Sequence, residues 1–138
     1  MFTTAYRILL LIVVSLVVSR TAYGDRRCVT ATGKLECHRK PREVSRKMIY
    51  MYDLDETKNE EGGSDDFMGR TRTDKDGKFT IQGCGYDKDT NGTPNPPDPY
   101  LELEDFCTSA EGEKRRFDFK FKFAPEVNDI GVIVLDKN

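Results

Sequence analysis

Four phenylalanines alternate with charged residues near the C-terminal end of the chain. A period of two places successive side chains on opposite faces of a strand. The pattern therefore predicts a β-strand from Arg116 to Phe123, ended by Pro125, with one aromatic and one charged face. At about 25 cal/mol per Å² buried, the aromatic face is expected to be the largest apolar contribution to the core. The alternating residues are Phe117, Asp118, Phe119, Lys120, Phe121, Lys122 and Phe123.

Six further segments have the length and pattern of short strands, and no segment has a helical period. One of them, Ser45 to Tyr52, is apolar on both faces where it ends, which is typical of a central strand. Seven strands with turns between them predict an all-β fold, an antiparallel β-sandwich of about seven strands. The other predicted strands are 28–37, 67–73, 78–83, 100–106 and 130–135.

Two turns are predicted from local residue type. Asp76-Gly77 suits a tight hairpin turn between antiparallel strands, because glycine adopts the left-handed conformation without steric cost. Asn128-Asp129 predicts a second turn before the last strand. The sequence Asp74-x-Asp76-Gly77 looks like part of an EF-hand loop, but its glycine stands at position four instead of six, so we interpret it as structural.

The N-terminal segment has the features of a secretory signal peptide. Arg7 precedes an apolar run, and Ala22-Tyr23-Gly24 supplies small residues for cleavage. The run is short for a membrane span, and no second apolar segment could cross a bilayer. We therefore predict a signal peptide at 1–24, one secreted, extracellular domain at 25–138 and no transmembrane segment; the alternative is a retained N-terminal anchor.

Four cysteines lie in the predicted mature domain. An even number in a small exported domain indicates disulfide bonds, and three pairings are open from the sequence. A zinc site is the alternative, but there is no Cys-x-x-Cys pair and His38 is the only histidine. The cysteines are Cys28, Cys37, Cys84 and Cys107.

The charges are nearly balanced but unevenly distributed. A formal net charge of −2 does not favour nucleic acid as a partner, since that needs a strongly basic face. Acidic residues concentrate between Asp53 and Asp66, and one basic group lies between Arg39 and Lys47. A second basic group on the wet face of the phenylalanine strand is our candidate for binding an anionic lipid or an acidic receptor, the alternative being a solvated strand face. Its residues are Arg115, Arg116, Lys120 and Lys122.

One loop has the spacing of a calcium site. Oxygen ligands stand at positions one, three, five and twelve, with Gly92 at position six. The prolines that follow forbid the usual second helix, so a solvated connector is the alternative. Asn91-Gly92-Thr93 is also a glycosylation acceptor, and a glycan and calcium would compete for Asn91. The candidate ligands are Asp87, Asp89, Asn91 and Asp98.

Several motifs in order along the chain give it a family resemblance. They are Gly33-x-Leu35-x-Cys37, Lys40-Pro41, Tyr52-Asp53, Thr73-Asp74-x-Asp76-Gly77-x-Phe79 with Gly83, Asp98-Pro99-Tyr100-Leu101, Cys107, the phenylalanine strand with Pro125, and Asp129-Ile130-Gly131. On these motifs the chain resembles the nematode transthyretin-like family of small secreted proteins. The resemblance implies a prealbumin-type, transthyretin-like β-sandwich and the disulfide Cys37–Cys107, which leaves Cys28–Cys84 as the second pair.

The resemblance also bears on function. It implies an extracellular adaptor that links a phospholipid on dying cells to a receptor on a phagocyte. The fold also occurs in hydroxyisourate hydrolase, but that site needs several histidines and a C-terminal Tyr-Arg-Gly-Ser, whereas this chain has only His38 and ends in Leu135-Asp136-Lys137-Asn138. We therefore expect a non-enzymatic protein without a cofactor. The alternative is an oligomeric carrier that holds a small apolar ligand between subunits. The sequence identifies neither the ligand nor the receptor.

Overall fold

The computed structural model describes residues 26–54, 65–86 and 95–137. The chain divides into two units, Arg26–Gly85 with Pro97–Asn138 and Met1–Asp25 with Tyr86–Pro96. Of the second unit only Tyr86, Asn95 and Pro96 are described. The predicted signal peptide lies outside the described residues, as do the candidate calcium ligands Asp87, Asp89 and Asn91. Within the described ranges, no helix is both long and apolar enough to span a membrane.

The larger unit is a β-sandwich, which confirms the predicted fold class. Its described residues form seven strands in two sheets, with a short 3₁₀ helix at Pro41–Val44. The three-stranded sheet has the order β4-β1-β7 and the four-stranded sheet the order β3-β2-β5-β6, so β2 is central as predicted. The strands are β1 Arg27–Glu36, β2 Met48–Asp53, β3 Asp66–Arg72, β4 Lys78–Gly85, β5 Pro99–Asp105, β6 Glu113–Asp118 and β7 Val127–Val134.

Four of the five strand ladders in the described residues are antiparallel, and the ladder between β1 and β7 is parallel, with Leu35 opposite Ile133. The N–H of Ala124, three residues before β7, donates to the carbonyl of Cys28 near the start of β1, so β7 begins beside the start of β1 and runs in the same direction. The alternation pattern of a single strand carries no information on this direction, and the parallel ladder was not predicted.

The core lies between the inward faces of the two sheets and is mainly aliphatic. Alternate residues of β1, β2, β4 and β5 face inward, because successive side chains of a strand point to opposite sides. The Cys37–Cys107 disulfide is part of this core, and Cys28–Cys84 joins directly opposed residues of β1 and β4. These are the two predicted pairs. The core side chains include Val29, Ala31, Leu35, Ile49, Met51, Phe79, Ile81, Leu101 and Leu103.

The phenylalanine segment differs from its prediction. β6 ends at Asp118, and residues 119–123 are not in a strand. Asp118 is opposite Tyr100, near the beginning of β5, so the chain beyond it has no ladder partner there. It crosses to the other sheet instead, where the backbone N–H of Ala124 donates to the carbonyl of Cys28 at 2.7 Å. The four phenylalanines are only partly buried against the core, so their predicted role as its largest apolar contribution is wrong.

The turn at Asp76-Gly77 is present but does not form a hairpin. Gly77 has a φ of +83°, as the sequence predicts. However, β3 pairs with β2 and β4 pairs with β1, so the turn connects the two sheets instead of two paired strands. β4 also continues to Gly85, two residues past the predicted end, because β1 supplies ladder partners that far.

The predicted turn at Asn128-Asp129 is wrong. Both residues lie in β7 and pair with β1, and the turn falls earlier, at Ala124-Pro125. The Asn128 amide donates to the carbonyls of Thr30 and Lys122 and accepts from the Lys122 N–H. The asparagine therefore fixes the crossing segment to the sheet, which local turn preference could not show.

Candidate functional site

His38, the only histidine, is exposed at the end of the turn that follows β1. Its Nδ1 lies 3.5 Å from Asp136 and its Nε2 lies 3.8 Å from Glu36. The Asp136 carboxylate accepts the backbone N–H groups of His38 and Arg39 at 3.0 and 2.7 Å, and these bonds hold the pKa of Asp136 below its usual value. Asp136 is therefore a cap for the turn.

A cavity of about 570 Å³ lies beside His38. It is lined partly by Lys34, Lys75 and Asp76, and none of its lining residues is a serine, a threonine or a free cysteine. His38 therefore has no hydroxyl or thiol beside it in this cavity that it could activate as a nucleophile.

The structure bears to different extents on the two metal sites considered from the sequence, one for zinc and one for calcium. Within the described ranges, Cys37, Cys107 and Asp136 bring potential ligand atoms together, but both sulfurs belong to the disulfide and cannot act as thiolate ligands. Of the candidate calcium ligands only Asp98 is described; it is exposed, and its backbone N–H donates to Asp53 at 2.6 Å. The calcium site and the glycan at Asn91 therefore stay predictions.

The two arginines of the predicted binding surface lie on opposite faces of β6. Arg115 is on the inward face, where its guanidinium lies 2.9 Å from Asp105 and also donates to the carbonyl of Leu135. Arg116 is on the outward face, over the ring of Tyr100 at 3.9 Å and bonded to Asp118 at 2.7 Å. The hydrogen bond that Arg116 donates to the Asp118 carboxylate raises the pKa of Arg116.

The two lysines of the predicted set lie beyond β6. Lys120 is exposed in the crossing segment, and Lys122 is 3.1 Å from Glu126. The structure therefore separates the four residues. Three of them lie within 4.0 Å of a carboxylate, and Arg115 and Arg116 also lie over the rings of Phe117 and Tyr100. The Tyr100 hydroxyl donates to Asp65 at 2.7 Å, and burial together with this hydrogen bond raises the pKa of Tyr100.

The other basic group gathers around the 3₁₀ helix, and we call it the cationic turn. The Nζ of Lys40 donates to the carbonyl of Phe106 at 3.0 Å, and the Nζ of Lys47 lies 4.5 Å from the centre of the Phe106 ring. In the described structure, the other three side chains make no ion pair. The cationic turn consists of Arg39, Lys40, Arg42, Arg46 and Lys47.

Two exposed arginines of β3, which were not among the predicted site residues, lie next to the cationic turn. Arg70 is opposite Tyr50 and Arg72 is opposite Met48 in the ladder with β2. Tyr50 and Met48 also line a cavity of about 300 Å³ together with Arg42, Arg46 and Lys47. The alternation Arg70-Thr71-Arg72 could have indicated a basic strand face. Only the pairing of β3 with β2 shows that this face lies near Arg42 and Arg46, which are 24 to 30 positions earlier in the sequence.

Comparison with known proteins agrees with this fold. The family model described as TTR-52, transthyretin-like family, matches residues 32–121. No curated protein matches the sequence. A 9R-lipoxygenase from Cyanothece PCC8801 has a region that superposes with a TM-score of 0.43 at 20% identity, covering 78% of this chain and 16% of the lipoxygenase. A likeness at that level carries no argument about activity.

Proposed function

Because the chain belongs to the transthyretin-like family, we propose that it is a secreted, non-enzymatic binding protein that acts outside the cell. Its two disulfides suit an oxidising compartment, and its N-terminal segment has the pattern of a signal peptide. The nematode origin that the sequence motifs suggest belongs to the same proposal.

The observation that supports binding is the set of unneutralised cations in the cationic turn. Arg39, Arg42 and Arg46 have no carboxylate within 4.0 Å among the described residues, whereas Arg115 and Arg116 are each paired. An exposed group of like charges attracts an anionic partner over a distance set by screening, about 10 Å at 0.1 M salt. The partner on this side is an anionic lipid surface or another acidic ligand.

An adaptor must also hold a second partner, which we propose is a cell-surface receptor. The sequence places the acidic segment between β2 and β3, whereas the cationic turn lies between β1 and β2. β2 separates the ends of the two segments by about 17 Å, since the chain rises about 3.3 Å at each of the five steps between its six residues. Two partners could therefore be bound without competing for one surface.

The test measures binding of the purified, disulfide-bonded mature protein to vesicles. Vesicles with an anionic lipid are compared with vesicles of zwitterionic lipid alone, at low and physiological salt. We expect binding to anionic vesicles that weakens with salt and is lost in an Arg39→Gln/Arg42→Gln variant. Lys78→Gln removes one charge from the three-stranded sheet and serves as the control. Equal binding to both kinds of vesicle would contradict a charge-driven anionic lipid partner.

The alternative function is an oligomeric carrier of a small apolar ligand, and one observation favours association. β7 is an edge strand of the three-stranded sheet, and its Val127 and Val132 are 61% and 53% exposed. Exposed apolar residues on an edge strand are suited to pairing with another chain. Native mass spectrometry separates the two functions: a carrier gives a stable oligomer with a bound small molecule, whereas a monomer without added mass excludes the carrier.

A further inference from the structure

Four exposed arginines line one side of the four-stranded sheet, and we propose that they bind a sulfated polysaccharide. We call them the arginine strip. The proposal rests on the proposed function, because two of the four belong to the cationic turn, and it names the class of anionic ligand. The strip consists of Arg42, Arg46, Arg70 and Arg72.

The two halves of the strip meet at Met48 and Tyr50: one half lines a cavity with them, and the other half is opposite them in the ladder without lining that cavity. Met48 and Tyr50 point to the outward face of β2, since the residues between and after them, Ile49 and Met51, are buried in the core. Directly opposed side chains of an antiparallel ladder have Cβ atoms about 5 Å apart. Arg72 and Arg70 therefore lie beside Met48 and Tyr50, which also form the wall of the 300 Å³ cavity shared with Arg42 and Arg46.

The strip is not neutralised from within the described part of the protein. Arg42, Arg46 and Arg70 have no side-chain hydrogen bond or ion pair there, and the Nε of Arg72 donates only to the Met48 sulfur at 3.2 Å. Glu43 and Glu104 line the same cavity but form no ion pair with the arginines. The guanidinium forks are thus available for an added anion.

Arg46 has an unusual backbone that supports a binding role for its side chain. Its φ of +54° is the only positive value at a non-glycine residue in the described ranges. Glycine would adopt this conformation without strain, whereas arginine does so unfavourably. Strain of this kind is commonly found at binding sites. The conformation is held by the contact of the Arg46 N–H with the carbonyl of Asp74 and by the hydrogen bond of the next residue, Lys47, to Thr73.

The chemistry of the strip favours sulfate groups on a linear polymer. A guanidinium presents parallel N–H donors that match the oxygens of a sulfate, and clusters of basic residues are typical of heparin-binding surfaces. Arg70 and Arg72 are two residues apart on one strand, about 7 Å along it. Glu43 and Glu104 line the cavity beside Arg42 and Arg46, so a single anion there is also repelled, and a linear chain whose repeated sulfates contact several guanidinium groups at once offsets that repulsion.

The experiment measures the affinity of the disulfide-bonded protein for a size-defined heparin oligosaccharide by calorimetry. We expect the Arg42→Gln/Arg70→Gln variant to lose about tenfold in affinity per arginine. The slope of log K against log salt should fall by about one per arginine removed. The Arg42→Lys/Arg70→Lys variant keeps both positive charges but lacks the paired N–H donors of the guanidinium. We expect it to recover only part of the heparin affinity that the glutamine variant loses. Near-ultraviolet circular dichroism checks that each variant is folded.

The controls separate this inference from the proposed function. Lys78→Gln removes one positive charge from the other sheet and should leave heparin affinity unchanged; a loss per charge equal to that of the double arginine variant would show non-specific attraction and overturn the proposal. Binding to anionic vesicles without binding to heparin would overturn the sulfated ligand and leave the proposed function intact. Absence of binding to both probes would contradict both. Tighter binding to an unsulfated hyaluronan oligosaccharide or to duplex DNA would also overturn it.

Discussion

The guanidinium of Arg115 lies 2.9 Å from the carboxylate of Asp105, whose side chain is completely buried. Asp105 also accepts hydrogen bonds from the Cys107 N–H and the Thr108 hydroxyl. Arg115 in turn donates to the carbonyl of Leu135. This group therefore links β5, β6 and the chain end after β7, close to the Cys37–Cys107 disulfide.

We expect Arg115→Ala to destabilise the protein by about 3 kcal/mol, because it leaves a buried carboxylate without its cation. Chemical denaturation monitored by tyrosine fluorescence measures the change. Arg116→Ala is the matched control, since its partner Asp118 is exposed, and it should cost less than about 1 kcal/mol. Equal losses of unfolding free energy in the two variants would show that the buried Arg115–Asp105 pair stabilises the fold no more than the exposed Arg116–Asp118 pair does.

The two disulfides should differ in their contribution to stability. They close segments of 56 and 70 residues, so each should stabilise the fold by about 4 kcal/mol through loop entropy. Cys37 and Cys107 are also buried in the core, whereas Cys28 and Cys84 are partly exposed. We therefore expect Cys37→Ala/Cys107→Ala to cost more free energy of unfolding than Cys28→Ala/Cys84→Ala. Denaturant titrations of the two double variants give the comparison, and the reverse order would be inconsistent with this packing.

Gly69 permits the close approach of β3 to β4. A Cβ atom there would lie 2.2 Å from the carbonyl oxygen of Gln82, which is backbone and cannot rotate away. We expect Gly69→Ala to cost about 3 kcal/mol by overpacking. Gly131→Ala is a contrasting variant: its Cβ would meet nothing within 4 Å, but its φ is +70°, so it should cost about 1 kcal/mol from backbone strain alone. Thermal unfolding of both variants checks the order.

The cap formed by Asp136 should make stability depend on pH. The backbone N–H groups of His38 and Arg39 lower the pKa of Asp136 from its ordinary value of 3.8. A carboxyl whose pKa is lower in the folded state stabilises the protein above its unfolded pKa and loses that effect as the pH falls through its folded pKa. Asp136→Asn keeps only one oxygen for two donors, so its melting temperature should be lower at pH 7. The difference from the unmodified protein should shrink below about pH 4. A constant difference from pH 7 to pH 2 would show that the charge has no part in the cap.

Arg46 offers a test that separates stability from binding. Arg46→Gly relieves the left-handed strain of about 1–2 kcal/mol but adds the flexibility of glycine to the unfolded chain, so we expect a net gain of about 0.5 kcal/mol. The same variant removes one guanidinium from the arginine strip and should weaken heparin binding. Denaturation and calorimetry on one sample measure both effects. A variant that is less stable would contradict the strain, and unchanged affinity would exclude Arg46 from the strip.

Most of the strands could be predicted from the sequence because the period of two is a local property. Phe79 and Ile81 face the core as their spacing indicates, and the conformation of Gly77 follows from its residue type. The alternation from Phe117 to Phe123 predicted that the phenylalanines face the core, but it did not predict where the strand ends. That length depends on the ladder partner, and β5 offers none beyond Asp118.

The candidate site could be predicted only in part. The cationic turn is continuous in sequence and was visible from it, whereas Arg70 and Arg72 join it through strand pairing alone. Arg115 and Arg116 are neighbours in sequence, yet the pleat of β6 sends one to a buried carboxylate and the other to the surface.

The sequence by itself determined the fold class, the central position of β2 and the conformation of the Asp76-Gly77 turn, because these follow from local spacing and residue type. Only the tertiary structure decided which strands pair, that β1 and β7 run parallel, and which cations stay unpaired. Those outcomes depend on contacts between residues far apart in the chain. A local pattern specifies which face of a strand is apolar, but the partner that covers that face is set by the packing of the whole domain.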